Sequence, residues 1–244
     1  FQHQNFLNEI INIINFLNNF ILLVKYSSLI LYIIYYDALH QAVNNNDTEI
    51  IYILLIELNN NNTENLFTKN NNLEQIALPK NITEIESNSF LECKSLKWIS
   101  IPPSITSIGD NAFGNCFSLT KISIPSSVTK IGKFAFHICN SLKQINIPSS
   151  VKSIGNDAFY SCSLLTQVTI PSSITLIESN IFKFCNSLKQ INIPSSVKSI
   201  GNDAFYACSS LIQVTIPSLV TEIRSHTFSK CSSLTQITIP SSVT

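Results

Sequence analysis

The chain has 244 residues, 45% of them apolar, and its 15 basic and 15 acidic side chains leave no formal net charge. Nucleic-acid binding depends on many cationic contacts to phosphates, so the balanced charge argues against a nucleic-acid partner, and it gives no electrostatic attraction to a membrane surface. The length and the apolar content suffice for a large core in one or two domains.

Residues 1–68 differ in composition from the rest of the chain. They mix Ile, Leu and Phe with Asn, and over 10–17 the apolar residues recur three and four positions apart, which favours helix over strand. We therefore predict a small α-helical region over 1–68. Its most apolar stretch, 20–36, is interrupted by Lys25 and two serines and is barely long enough to span a bilayer, so a buried helix and a transmembrane helix both remain open.

The segment 37–55 reads as helix, polar turn and helix. Its opening, Asp37-Ala38-Leu39-His40-Gln41-Ala42, resembles the Thr-Pro-Leu-His-x-Ala start of an ankyrin repeat, with Asp-Ala in place of Thr-Pro. A single ankyrin-like unit cannot bury its own faces. The segment is therefore interpreted either as the last of several degraded ankyrin repeats or as a coincidental pair of antiparallel helices.

From residue 69 to residue 244 the sequence repeats every 23 residues, which predicts about seven and a half stacked units of a solenoid. One unit reads Leu119-x-x-Ile122-x-Ile124-Pro125-x-Ser127-Val128-x-x-Ile131-Gly132-x-x-Ala135-Phe136-x-x-Cys139. The alternating start predicts a short strand, which the proline ends because it cannot donate to a sheet. The remaining residues return the chain along an irregular or 3₁₀-like limb. The last unit stops before its Phe and Cys, so we expect a fragment of a longer protein.

These units resemble the 23-residue leucine-rich repeats of the BspA-like surface proteins, whose signature is I-P-x-S-V-x-x-I-G-x-x-A-F-x-x-C. The resemblance implies an α/β solenoid, a leucine-rich repeat array with short parallel strands and irregular or 3₁₀ return segments. In leucine-rich repeats generally, the ninth residue is an Asn or Cys that forms a hydrogen-bonded ladder. Here it is mostly serine, which predicts a weaker ladder, and Leu219 predicts a break in it.

The third and fifth residues of each unit point outward from the strands and form a neutral, hydrogen-bonding surface that we call the strand face. It is either a binding surface or simply a solvated sheet face. Trp98 is either a binding anchor on this face or a contact with the helical region. The ligand-binding residues predicted on the strand face are Trp98, Ser100, Lys121, Ser123, Gln144, Asn146, Gln167, Thr169, Gln190, Asn192, Gln213, Thr215, Gln236 and Thr238.

We predict no catalytic residue, no cofactor and no metal site. The seven cysteines lie one per unit, without the short spacings of metal ligands and without a polarising environment, so they are interpreted as small core residues. The segment Asn140–Tyr160 is identical to Asn186–Tyr206. A sequence that multiplies one surface favours multivalent binding over a unique active site.

The resemblance implies a non-enzymatic protein-protein interaction module, a surface antigen or adhesin that binds host or cell-surface proteins, including glycoproteins or extracellular matrix, and it implies a location at the cell surface. Two alternatives remain open at this point. One is an intracellular scaffold of ankyrin-like and leucine-rich repeats in the cytoplasm, favoured if the cysteines are reduced. The other is a membrane-tethered receptor that spans the bilayer through 20–36.

Overall fold

The structure, a computed structural model, describes residues 67–78 and 80–244. The helical region, the ankyrin-like segment and the transmembrane candidate predicted within 1–68 lie outside the described residues, apart from Phe67 and Thr68, which belong to a turn. The described residues form twelve strands of two or three residues. In chain order these are β1 (Gln75–Ala77), β2 (Glu84–Ile85), β3 (Trp98–Ser100), β4 (Ser107–Ile108), β5 (Lys130–Ile131), β6 (Gln144–Asn146), β7 (Ser153–Ile154), β8 (Gln167–Thr169), β9 (Leu176–Ile177), β10 (Ser199–Ile200), β11 (Gln213–Thr215) and β12 (Gln236–Thr238).

The first limb of each coil carries the strand that the repeat pattern predicts. β1 pairs with β3, β6 with β8 and β11 with β12, always parallel and always with residues 23 apart opposite each other. Single parallel bridges connect further coils of this limb, between Lys121 and Gln144, between Thr169 and Asn192, and between Gln190 and Gln213. The described part of the chain is therefore a parallel solenoid of about seven turns, as the repeat predicted.

The return limb carries a second parallel ladder that the sequence analysis did not predict. Its strands pair in the orders β2-β4-β5-β7 and β9-β10. A glycine follows the buried isoleucine of this ladder in four coils, and its N–H donates to the carbonyl of the isoleucine one coil earlier, over 2.7 to 2.9 Å. A Cβ on any of these glycines would lie 2.5 Å from an atom of that earlier coil, so the close approach requires glycine. The four are Gly109, Gly132, Gly155 and Gly201.

The second ladder is interrupted where this glycine is missing. Glu178 and Arg224 occupy the same position of their units. Within the described residues, no backbone hydrogen bond joins Glu178 to Ile154, and β7 does not pair with β9. At Arg224 the ladder is reduced to one bridge between Ile200 and Ile223. The presence of a Cβ at this position therefore coincides with the loss of regular pairing.

The return limb is irregular, as expected, but no 3₁₀ helix occurs in 67–78 or 80–244. Hydrogen bonds between residues three apart, the type that a 3₁₀ helix contains, do recur. One example is the bond from the N–H of Cys139 to the carbonyl of Phe136 at 3.2 Å. However, the sixteenth and twentieth residues of each unit have φ between 53° and 63°. Left-handed residues at two points of every coil interrupt the right-handed turns, so these turns do not continue into a helix.

Columns of leucine and phenylalanine fill the interior, as the repeat predicted. Phenylalanine rings from Phe67 to Phe228 stack on their neighbours with centroids 4.8 to 5.7 Å apart and planes within 13°. Phe67 lies two residues before the boundary predicted at 69, in the same 23-residue register, and is fully buried. Asn70 stands where later coils have cysteine, and its Oδ1 accepts a hydrogen bond from the N–H of Leu73 at 3.0 Å.

Serine hydroxyls form the ladder predicted at the ninth position of the unit. Each donates to the carbonyl of the following position in the coil before, over 2.5 to 2.7 Å, from Ser104 through Ser196 and again at Ser242. Leu219 has no hydroxyl and is half exposed, so the predicted break in the ladder at this residue is confirmed.

Candidate functional site

The strand face has two parallel columns of exposed side chains because inward and outward residues alternate along each short strand. In β6, β8 and β11 the middle residue is buried and its two neighbours are exposed. Thirteen of the fourteen predicted ligand-binding residues are exposed, and Ser100 is partly exposed. The structure therefore brings the predicted residues together on one face, in register from coil to coil.

Five successive coils place a glutamine at the third position. Parallel register sets Gln144 opposite Gln167 in β6 and β8, and Gln213 opposite Gln236 in β11 and β12, while a bridge joins Gln190 to Gln213. The fifth position adds Asn or Thr in the same coils. Each amide offers both donors and an acceptor, so this part of the face can bind backbone and polar side-chain groups of either type.

Two adjoining depressions run along the strand face. One of about 660 Å³ is lined mainly by residues of β8, by Gln190 and Asn192, and by β11. The other, of about 340 Å³, extends from Lys121 to β8, and the two share Gln167 and Thr169. Concave polar surface of this length suits an extended protein segment better than a compact small molecule.

Charge on the strand face is confined to Lys121 among the described third and fifth positions. Beside the face, Lys97 Nζ lies 2.9 Å from Glu74 Oε2. Both side chains are more than half exposed, so this ion pair contributes little to stability. The face therefore offers hydrogen-bonding groups and the Trp98 ring rather than charge.

Trp98 is the one aromatic residue of the strand face in the part of the chain that the structure describes, and it is 47% exposed. It begins β3 and lies opposite Gln75 of β1. Any contact with the predicted helical region would involve residues outside the described range. A tryptophan that is half open to solvent, and that Lys121 separates from the five successive glutamines, is suited to anchor a partner.

The cysteines form a thiol ladder in the core and not a reactive site. Each Sγ–H donates to the carbonyl of the phenylalanine 26 residues earlier, over 2.8 to 3.2 Å, from Cys93 to Cys231. Burial raises the pKa of the Cys162 thiol to about 12 and that of Cys231 to about 11, while a hydrogen bond to the neighbouring coil opposes the rise. These thiols stay protonated at neutral pH, which makes them poor nucleophiles.

Neither a metal site nor a membrane-spanning helix is found in the part of the chain that the structure describes. No group of three or more His, Cys, Asp or Glu side chains within 67–78 and 80–244 is arranged to hold a metal ion. In the same ranges no helix combines the length and the apolar character that crossing a membrane requires.

One cluster on the return limb was missed by the sequence analysis. Phe134, His137, Asp157 and Tyr160, with Asn111, line a cavity of about 330 Å³. Its sequence signal was Phe134, which occupies the sixteenth position of its unit, whereas the other described units have Asn, Asp or His there.

The stacked 23-residue coils, with a leucine and phenylalanine interior and a parallel strand in each first limb, define a leucine-rich repeat solenoid. The profile described as "BspA type Leucine rich repeat region (6 copies)" matches residues 61–188 and 153–244, which is more than half of the chain. The chain belongs to the BspA-type leucine-rich repeat proteins. This family is one of protein-interaction repeat modules.

Comparison with one solved structure agrees with this assignment. A leucine-rich repeat protein of T. pallidum is 33% identical, with a TM-score of 0.58 over 60% of this chain and 68% of that one. A leucine-rich cell surface protein from Faecalibacterium prausnitzii is 29% identical, with a TM-score of 0.49 over 68% of this chain and 59% of that one. No curated protein matches the chain at a significant level.

Proposed function

We propose that the chain is the binding module of a non-enzymatic surface antigen or adhesin, and that it holds a host or cell-surface protein on its strand face. The observation that carries this proposal is the register of the outward side chains. Five glutamines, neighbouring Asn and Thr residues and an exposed tryptophan lie in two continuous columns. A partner segment that runs along the stack meets the same chemistry in each coil, and weak contacts add up.

An extracellular-matrix glycoprotein is the partner class that the BspA-type resemblance favours, and the neutral face supports a protein over a nucleic acid. The cell surface is the corresponding location. The intracellular scaffold stays an alternative to it. The redox state of the thiols does not separate the two locations, because buried thiols that donate hydrogen bonds to carbonyls are protected from oxidation in either compartment.

The test is binding of the full chain to immobilised fibronectin, laminin and collagen, compared with the variant Trp98→Gln. Glutamine is the residue that most other coils carry at this position, so the variant keeps the strand pattern. Loss of a buried tryptophan contact at an interface typically removes about 2 kcal/mol, so we expect Kd to rise about 30-fold.

The matched control is Leu164→Ser. Leu164 is also 47% exposed and stands where most other coils have serine, but it lies outside the strand face. Binding should be unchanged in this variant. Equal binding of the wild type and Trp98→Gln would contradict the role of the strand face, and no binding to any of the three proteins would contradict the matrix-protein assignment.

A further inference from the structure

The cavity on the return limb combines a carboxylate with aromatic side chains. Phe134 and His137 come from one coil and Asp157 and Tyr160 from the next. Phe134 is 38% exposed, and the other three residues are partly buried. None of these residues belongs to the strand face, so the cavity is separate from the surface proposed above.

The identical segment two coils later shows which chemical group can bind between such a carboxylate and such an aromatic ring. Asp203 and Tyr206 are the copies of Asp157 and Tyr160 within the duplicated sequence. There, Lys183 of the preceding coil places its Nζ 3.6 Å from Asp203 Oδ1 and 4.8 Å from the centroid of the Tyr206 ring. A lysine ammonium is thus bound between this carboxylate and this aromatic ring within the chain itself.

At the first copy the preceding coil supplies His137 in place of that lysine. Its Nδ1–H donates to the carbonyl of Phe134 at 2.8 Å, and its Nε2 accepts from the amide of Asn115 at 3.3 Å. The hydrogen on Nδ1 is assigned from these two partners. The ring is fixed by two hydrogen bonds to its own and the preceding coil, so it does not replace the ammonium.

Asp157 keeps its carboxylate available. Its described side-chain hydrogen bond is a long one of 3.5 Å from Asn180 Nδ2, and no salt bridge joins it to another described residue. Lys183 contributes only long-range attraction because its Nζ pairs with Asp203. Burial is the main influence on the pKa of Asp157 and raises it, whereas the hydrogen bond from Asn180 and the charge of Lys183 oppose the rise.

Phe134 adds an aromatic wall that the second copy lacks, since Asn180 holds the equivalent position there. Its φ is 55°, a region that Asn and Asp tolerate better than Phe. The other described units have Asn, Asp or His at this position. An exposed Phe that keeps the backbone strain here indicates that its ring has a function.

We propose that Phe134, Asp157 and Tyr160 bind the ammonium group of a lysine side chain from a protein partner. The carboxylate pairs with the charge and the two rings provide cation–π contacts, which is the arrangement that Lys183 makes with Asp203 and Tyr206. The site gives the solenoid a second point of contact outside the strand face.

The test is an NMR titration of the ¹⁵N-labelled full chain with Nα-acetyl-lysine-N-methylamide and, as matched probe without the ammonium, Nα-acetyl-norleucine-N-methylamide. The lysine probe should cause saturable shifts in the amides of 134–137 and 157–160, and the norleucine probe should not. Asp157→Asn should weaken binding at least tenfold, while Asp203→Asn should leave the affinity of the cavity unchanged within twofold.

Three results would overturn the proposal. They are the absence of saturable shifts, equal shifts with both probes, and equal affinity in Asp157→Asn when its spectrum shows a folded protein. A third probe separates a protein lysine from a free polyamine. Spermidine binding tenfold tighter than the lysine probe would assign the site to a free polyamine instead of a partner protein.

Discussion

Single residues of the repeat stabilise the stack by contacting the coil before them. The thiol ladder is the most regular example, because each cysteine both fills a core position and donates to a phenylalanine carbonyl of the preceding coil. A serine at the same position would make a similar bond with a shorter, more polar side chain. The cysteine position therefore has two requirements, a small side chain and one hydrogen-bond donor.

Buried thiols predict a steep loss of stability at alkaline pH. Burial places the folded pKa of the thiols above their ordinary value of 9.0, to about 12 for Cys93 and Cys162. Their contribution is therefore complete below pH 9 and is lost as the pH rises toward the folded value. Each thiol adds up to about 1.4 kcal/mol per pH unit to the decline in the free energy of unfolding.

Urea denaturation at several pH values between about 8 and 10, below most lysine titration, measures this decline. Cys162→Ala provides the control. It lowers the stability at neutral pH, and it should also reduce the alkaline slope by the share of one thiol. An alkaline slope that is the same with and without Cys162 would show that this thiol is not desolvated in the folded protein.

Phe134 is predicted to lower the stability of the fold and to increase the affinity for the lysine probe. Phe134→Asn replaces a residue that is strained at φ 55° with the residue that the preceding coil has at this position. Relief of left-handed strain is worth about 1 kcal/mol, so the thermal midpoint should rise. The same substitution should lower the affinity of the cavity for the lysine probe. A lower thermal midpoint would mean that the packing of the ring outweighs the strain.

At the scale of elements, the glycine of the return limb controls the second ladder. We predict that Glu178→Gly restores the hydrogen bond to the carbonyl of Ile154 and lets β7 pair with β9. Gly155→Ala should break the corresponding hydrogen bond to the carbonyl of Ile131, because its Cβ would lie 2.5 Å from the backbone nitrogen of Lys133. One added backbone hydrogen bond should raise the free energy of unfolding by about 1 kcal/mol.

Hydrogen exchange of the amide at position 178 measures the effect of Glu178→Gly. Slower exchange in the variant than in the wild type is the expected result. Unchanged exchange at 178, together with unchanged stability of Gly155→Ala, would show that the coil spacing is set elsewhere, for instance by the phenylalanine stack.

The two limbs differ in how far the sequence predicts them. The first limb follows from local rules, since alternation and a terminal proline define a strand whose register the 23-residue period then sets. The return limb does not, because its left-handed residues are as varied as Ile138, Ser161 and Lys230. Hydrogen bonds to the next coil hold two of them in that conformation, from the N–H of Ile138 to the carbonyl of Tyr160 and from the N–H of Ser161 to the carbonyl of Lys183. The glycine signal was present in the sequence, but its meaning depends on the distance to the next coil.

At the scale of the whole molecule, the candidate sites differ in the same way. The strand face was predictable because it is a repeated pattern, and the fourteen predicted residues lie on one side in register. The return-limb cavity was not, because it arises where Phe134 alone departs from the pattern of its column and the variable residues of two adjacent coils line the space beside it. What the cavity could bind becomes visible only from the structure, in the contacts of Lys183 with Asp203 and Tyr206 in the duplicate coil.

The stacked architecture makes coils interchangeable as long as the register is kept. Each coil contacts its neighbours through the same columns, so stability is close to a sum over coils and their interfaces. Removing a whole number of units should leave the remaining columns continuous, whereas removing part of a unit should place polar residues in the core.

The most direct test is thermal denaturation, followed by circular dichroism, of a variant that lacks 161–206. This segment is two repeats long, and its removal joins Tyr160 to Ala207 just as Tyr206 joins Ala207 in the intact chain. We predict a folded solenoid that melts cooperatively at a lower temperature, and an unfolded chain when 161–195 is removed instead. Loss of folding in the in-register variant, or equal folding of both, would contradict the account.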